Sequence, residues 1–198
     1  MEKDSGCEQD VLEITDVATM RVFTHPVRAR IMWALREHGP ATATGLAQVL
    51  GASSGLMSYH LRRLGQHGLV VEDAERGRGR ERWWKLAAAH FLFPEPADRT
   101  PEYDAELARV RDRILEVDSA AVADFVANES SYSREWQDAS LFLTAVVHVT
   151  HEELTKLHGD FGAVLEPWYR LDVAERPPDA LPVRVSIRAV PTARPDGA

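Results

Sequence analysis

One cysteine, Cys7, is all the thiol the 198 residues contain, which excludes an internal disulfide and a Cys-built zinc site. Equally absent is any apolar run near the roughly 20 residues that a membrane-spanning helix needs. The acidic opening MEKDSGCEQD has neither the basic nor the apolar region of a secretory leader, so a cytoplasmic protein without membrane contact is expected. No nucleophile–base pair, phosphate loop or paired carboxylate set is legible; the reading is not an enzyme, and no cofactor is implied.

Net positive charge is missing too: the formal charge is −8, which argues against a nucleic-acid partner until the chain is divided. Residues 1–15 hold one basic and five acidic side chains, residues 16–88 eleven and six, and residues 89–198 eleven and twenty. Positive charge is thus concentrated in one segment, and local charge governs attraction to phosphates within a Debye length.

What is present in that segment is a series of short helices. Between Ile14 and His38 two helices are broken at Thr24-His25-Pro26, with proline suited to a first turn. Val27, Ile31, Ala34 and Leu35 form the inward stripe of the second, which His38-Gly39-Pro40 ends. A third helix runs from Thr42 or Ala43 to Leu50, Gly51 turns the chain, and Ser53 is placed to cap a fourth helix that ends at His67-Gly68. On that fourth helix Met57, Leu61 and Leu64 share one face, while Ser54, Ser58, Tyr59, Arg62 and Arg63 lie off it. Leu69 to Val71 and Glu81 to Leu86 read as strands around EDAERGRGR, whose Arg76, Arg78, Arg80 and Arg82 recur every second residue. Parity also puts Trp84 and Leu86 on the arginine side, where they are expected to anchor the hairpin.

Two helices joined by a tight glycine turn, the second with an exposed polar face, form a helix-turn-helix, whose second helix fits the DNA major groove. The ordered set THPVRARIM, LAQVLG, SSGLMSYHLRRL, HGLV and GRGRERWWKL resembles the ArsR-type winged helix-turn-helix transcription regulators over residues 16–88. The resemblance implies a homodimer that binds a palindromic operator on double-stranded DNA, usually as a repressor released by an effector. It implies that Ser54, Ser58, Tyr59, His60, Arg62 and Arg63 face DNA, with Thr42 and Thr44 near phosphates and the arginine wing on the flanking backbone. The third helix has none of the thiol ligands of the metal-sensing members, and Gly55 stands where a side chain would help read bases. His60 reads equally as a phosphate contact and as a satisfied core group.

Pro94, Pro96 and Pro101 mark a linker over 89–101. The following half, 102–190, reads as helix, strand, helix, strand: a stripe Leu107, Val110, Ile114, Val117 and Ala121; a β-rich run Leu141 to Val149; a helix opened by the Thr150/Glu153 capping box and ended at Pro167; and an alternating strand Val183 to Ala189. Residues 1–15 and 191–198 read as disordered ends. The fold class is mainly α with small β, a winged helix-turn-helix followed by an α/β half for dimerisation or sensing. Phe125, Tyr132, Trp136, Phe142, Phe161, Trp168 and Tyr169 could line a small-molecule effector pocket there, though aromatics are more often core. His148, His151, Glu152 and His158 lack the spacing of a metal site, since HEELT carries Thr155 where a zinc protease has its second histidine. Two rival functions stand beside DNA regulation: a winged-helix protein-interaction module without specific DNA binding, and a histidine-based metal sensor.

Overall fold

The computed structural model describes residues 11–76, 81–94, 100–169 and 173–192. Cys7, Arg78, Arg80, Pro96 and residues 193–198 lie outside them. The chain divides into two compact units, Met1–Glu116 with Arg170–Pro182, and Val117–Tyr169 with Val183–Ala198.

The first unit is a winged helix-turn-helix. Its elements in order are β1 (Val11–Glu13), α1 (Val17–Thr24), α2 (Pro26–His38), β2 (Ala41–Thr42), α3 (Ala43–Leu50), α4 (Ser54–Gln66), β3 (Val70–Glu72), β4 (Trp83–Leu86), β5 (His90–Leu92) and the first turns of α5 (Pro101–Asn128). Local chemistry sets the boundaries. Asp16 caps α1 by accepting from the Thr19 amide, Pro26 occupies the first turn of α2, and Thr42 and Ser53 accept from the Gly45 and Leu56 amides at the starts of α3 and α4. Each cap is worth about 1 kcal/mol against alanine.

The core is the set of stripes read from the sequence, folded inward. Ile31, Leu46, Met57, Leu61, Leu64 and Leu69 are fully buried, and Met20, Leu35, Val70 and Trp84 close around them. Burying a side chain of this kind stabilises by about 1.5–3 kcal/mol. Beneath the helices, β2, β4 and β3 form an antiparallel sheet in that order, with Ala41 opposite Trp84 and Val70 opposite Leu86. A second, parallel ladder pairs Val11, Leu12 and Glu13 with His90, Phe91 and Leu92.

That ladder corrects two expectations. Residues 11–13, assigned to a disordered end, and 90–92, assigned to a linker, hold each other through backbone hydrogen bonds, and the Ile14 amide extends them to the Leu92 carbonyl at 2.8 Å. The boundary at 89–101 also shifts, because Tyr103, Leu107 and Val110 of α5 are buried in the first unit's core. Residues 173–182 return to this unit: a 3₁₀ turn over Val173–Glu175 lies against Gly39, and Arg176 donates to the Glu37 and Arg36 carbonyls at the end of α2. A cation there satisfies orphan carbonyls where the helix dipole is negative.

The second unit holds the remainder of α5, a 3₁₀ turn over Glu129–Ser131, α6 (Arg134–Ala139) and α7 (His151–Leu165). The capping box is formed: the Thr150 hydroxyl accepts from the Glu153 amide at 3.2 Å and the Glu153 carboxylate accepts from the Thr150 amide at 2.7 Å. Neither expected strand exists. Residues 141–149 and 183–189 carry no ladder, and most of their side chains are exposed, from Leu141 at 80% to Ile187 at 44%. Alternation and β-branching equip a segment for a sheet, but a strand exists only where a second one completes its hydrogen bonds. The run 183–189 is held instead by Arg184 and Arg188, which both pair with the buried Asp118 of α5.

Candidate nucleic-acid interface

The turn that joins α3 to α4 is built on Gly51, whose φ of 65° and ψ of 43° place it in the left-handed region that side chains disfavour. Its amide and that of Ala52 both close on the Ala47 carbonyl, which ends α3 sharply and lets Ser53 start α4 two residues later. Because α4 buries Met57, Leu61 and Leu64, its other face must point to solvent, and Ser54, Tyr59, Arg62 and Arg63 are exposed there, with Ser58 half-buried.

The arginines are held along this face. Arg62 Nε donates to the Ser58 carbonyl at 3.1 Å, and Arg63 Nη1 to the Gln66 side chain at 3.2 Å. Among the described residues no carboxylate pairs with either guanidinium. Thr42, Thr44, Ser58, Arg62, Glu81 and Arg82 are among the residues that line one cleft between the start of α3, the exposed side of α4 and the wing. Thr44 is exposed in the first turn of α3, whereas the Thr42 hydroxyl is committed to the cap. Leu56, 43% exposed on the first turn of α4, was not singled out by polarity, yet it lies on the same surface.

The wing meets the expectation in part. Trp84 is buried and Lys85 exposed, as alternation requires, and Arg76 and Arg82 point into solvent. Both arginines are engaged: Arg76 with Asp73 at 3.4 Å and Arg82 with Glu72 at 3.1 Å. The Arg82–Glu72 pair is exposed and contributes about 0–1 kcal/mol, so an incoming phosphate competes with it at small cost, whereas Arg76 is paired with the buried Asp73.

His60 is a correction. It lies on the buried side of α4, 5% exposed, and its ring stands 5.0 Å from that of His25, the residue before Pro26. It is therefore turned away from the exposed side that carries Arg62, and it is not a satisfied core group, because Nδ1 is buried without a partner among the described residues. His25 Nδ1 and Arg28 Nε are in the same condition. Burial pushes both histidines below the usual imidazole range; Arg28 adds to this at both rings, Arg113 at His25 and His25 at His60. Burial likewise lowers Arg28, with Arg63 adding to the effect. The signal for this cluster was in the sequence, since His25-Pro26-Val27-Arg28 opens a helix, but the motif reads there as a helix start.

In the second unit the candidate groups do not converge. Phe125 meets Tyr132 at 5.3 Å and Phe142 at 6.3 Å, whereas Trp168 and Tyr169 are exposed. His148, His151 and His158 are exposed, and among the described residues no group of three or more His, Cys, Asp or Glu could hold a metal ion. No helix among the described residues is long and apolar enough to cross a membrane.

Residues 23–73 match the family described as a helix-turn-helix domain. No curated protein matches the chain. Among solved structures, similarity is found to Rv0081 of Mycobacterium tuberculosis, with 23% identity over 53% of this chain and 90% of that one, and a TM-score of 0.33. A possible transcriptional regulator for arsenical resistance shows 30% identity over 54% of this chain and 94% of that one, with a TM-score of 0.31. Reduced HlyU from Vibrio cholerae shows 18% over 48% and 86%, with a TM-score of 0.30.

Proposed function

We propose, from the helix-turn-helix domain matched over residues 23–73, that this chain is a DNA-binding transcription regulator that acts as a homodimeric repressor on a palindromic operator. The observation that carries the reading is α4: three fully buried apolar residues fix its orientation, and the exposed side presents hydroxyls, a tyrosine and two arginines that pair with no carboxylate among the described residues. Arg62 is the residue for a base edge, since the guanidinium fork suits guanine. Ser54, Ser58, Thr44 and the wing arginines, Arg78 and Arg80 included, would hold the backbone on either side.

Two copies would place their α4 helices in half-sites roughly one DNA turn apart. The exposed apolar runs 141–149 and 183–190 favour a second copy over a free monomer, because single-chain surfaces seldom leave so many large side chains contiguous. An effector of unknown chemistry would act through this second unit.

The test is fluorescence-anisotropy titration of the protein against its own upstream DNA and a scrambled duplex at several salt concentrations. Tighter, salt-dependent binding to the upstream fragment is expected, and Arg62→Ala should weaken it by about 1–3 kcal/mol with relaxed sequence preference. Unchanged binding by Arg62→Ala would rule out this orientation of α4.

A further inference from the structure

The first unit holds a concentration of positive charge around Arg28 that no carboxylate among the described residues pairs with. Arg28, in the first turn of α2, makes no ion pair or side-chain hydrogen bond among the described residues, and its Nε is buried. The groups recorded as acting on it are Arg63, another cation, and Tyr59. His60, from α4, is 95% buried by its 5% exposure, with Nδ1 unpartnered beside His25. From α5, Arg113 also acts on His25; it donates to the Thr24 carbonyl at 3.2 Å and its own charge is answered by Glu116. Tyr59 packs edge-on to His60, its centroid 5.1 Å away. The N-terminus of α2 adds partial positive charge here, and no side chain caps it.

Among the described residues, the ionisable groups that perturb this cluster are thus cations, imidazoles and a phenol. A chain that desolvates a guanidinium and two imidazole nitrogens with no partner accepts an energetic cost for each unsatisfied group. An anion with several acceptor oxygens answers all of them at once: two guanidinium groups, imidazole nitrogens that become donors on protonation, and the open helix end.

We propose that Arg28, Arg63, His25 and His60 form a phosphate site at the junction of α2 and α4, and that the phosphate it takes is one of the DNA backbone, bound beside the groove that α4 enters. The assignment of the phosphate to DNA rests on the regulator reading above; the site itself does not. Arg63 and Tyr59 lie on the exposed side of α4, so the site opens toward the surface already assigned to DNA. A phosphate there would favour imidazolium, and binding would draw protons from solution.

Salt and proton linkage test it. Anisotropy titrations of a random-sequence duplex, repeated over a range of salt, are run with the parent, Arg28→Gln, His25→Gln and the exposed Arg63→Gln, which keeps the test open should Arg28→Gln fold poorly. Calorimetry near pH 7 in two buffers of unlike ionisation enthalpy counts the protons taken up. In a parallel arm, melting is measured in inorganic phosphate and in chloride at equal ionic strength. A log–log salt slope lower by about 0.9 in Arg28→Gln or Arg63→Gln, the loss of one phosphate contact, is expected, with smaller proton uptake in His25→Gln. A parent that binds duplex while the variants keep its slope would overturn the site; a lost slope without proton uptake would remove the histidines from it. If the parent binds no duplex, the DNA reading fails by itself. In that case stabilisation by inorganic phosphate that disappears in Arg28→Gln would uphold the site for free phosphate, and equal melting in both salts would overturn it.

Discussion

His25 and His60 are held neutral by burial in cationic company, and the sign of that effect on stability follows directly. Both are depressed below the ordinary value of 6.5, so the unfolded chain binds more protons than the folded one as the medium becomes acidic. Their contribution is complete above about pH 6.5 and is lost as pH falls through the depressed values. The melting temperature of the free protein should therefore fall between pH 7 and pH 5.5, and less so in His25→Gln. A melting curve indifferent to pH in that interval would contradict the neutral assignment. DNA affinity should move the other way and tighten on mild acidification, because a phosphate rewards the proton that the empty site resists.

At the scale of the element, two glycines on α4 should respond with opposite signs. Gly55 has nothing within 4 Å of the position a Cβ would take, so Gly55→Ala gains helix propensity and should stabilise by up to about 1 kcal/mol in chemical denaturation. Should DNA affinity fall in that stabilised variant, the glycine serves close approach of the helix to the duplex. Gly65 faces Trp84, whose Cζ3 would stand 3.0 Å from an added Cβ. Trp84 is buried against the sheet and has little room to yield, so Gly65→Ala should cost about 1–3 kcal/mol. A stabilised Gly65→Ala would mean that the wing strand moves freely on α4.

What was legible in the sequence follows the range of the forces involved. The stripe Met57, Leu61 and Leu64, the caps at Ser53 and Thr150, and the turn at Gly51 are decided within one or two turns of chain, and they appear where the spacing puts them. The β1–β5 ladder was not legible, because three residues at 11–13 carry no signal of a partner at 90–92. The runs 141–149 and 183–189 failed in the reverse sense: their alternation was real, but no alternation names a partner strand. At the candidate site, Arg62 and Arg63 were legible from helical phase, while the His25–His60 pair needed the crossing of α2 and α4 to bring together residues thirty-five apart in sequence.

For the whole molecule, charge is partitioned: the winged helix-turn-helix segment 16–88 carries the basic excess, and the remainder carries the acidic one. Such a chain attracts duplex through one region and repels it through the other, which orients the encounter. The exposed apolar runs of the second unit bear on assembly. Sedimentation velocity should give twice the chain mass, and Leu143→Asp, at a residue 79% exposed, should shift the protein toward monomer without lowering its helix content. A variant that remained dimeric would place the contact elsewhere.

The return of Arg176 to the end of α2 carries a consequence in time. Its guanidinium bonds the Glu37 carbonyl across 139 positions of sequence, so the ribosome must add all of the intervening chain before this helix end receives its ligand. A nascent chain can assemble α1 to α4 and the wing long before then, but the finished unit waits for residues 173–182, which are translated after the whole of α7.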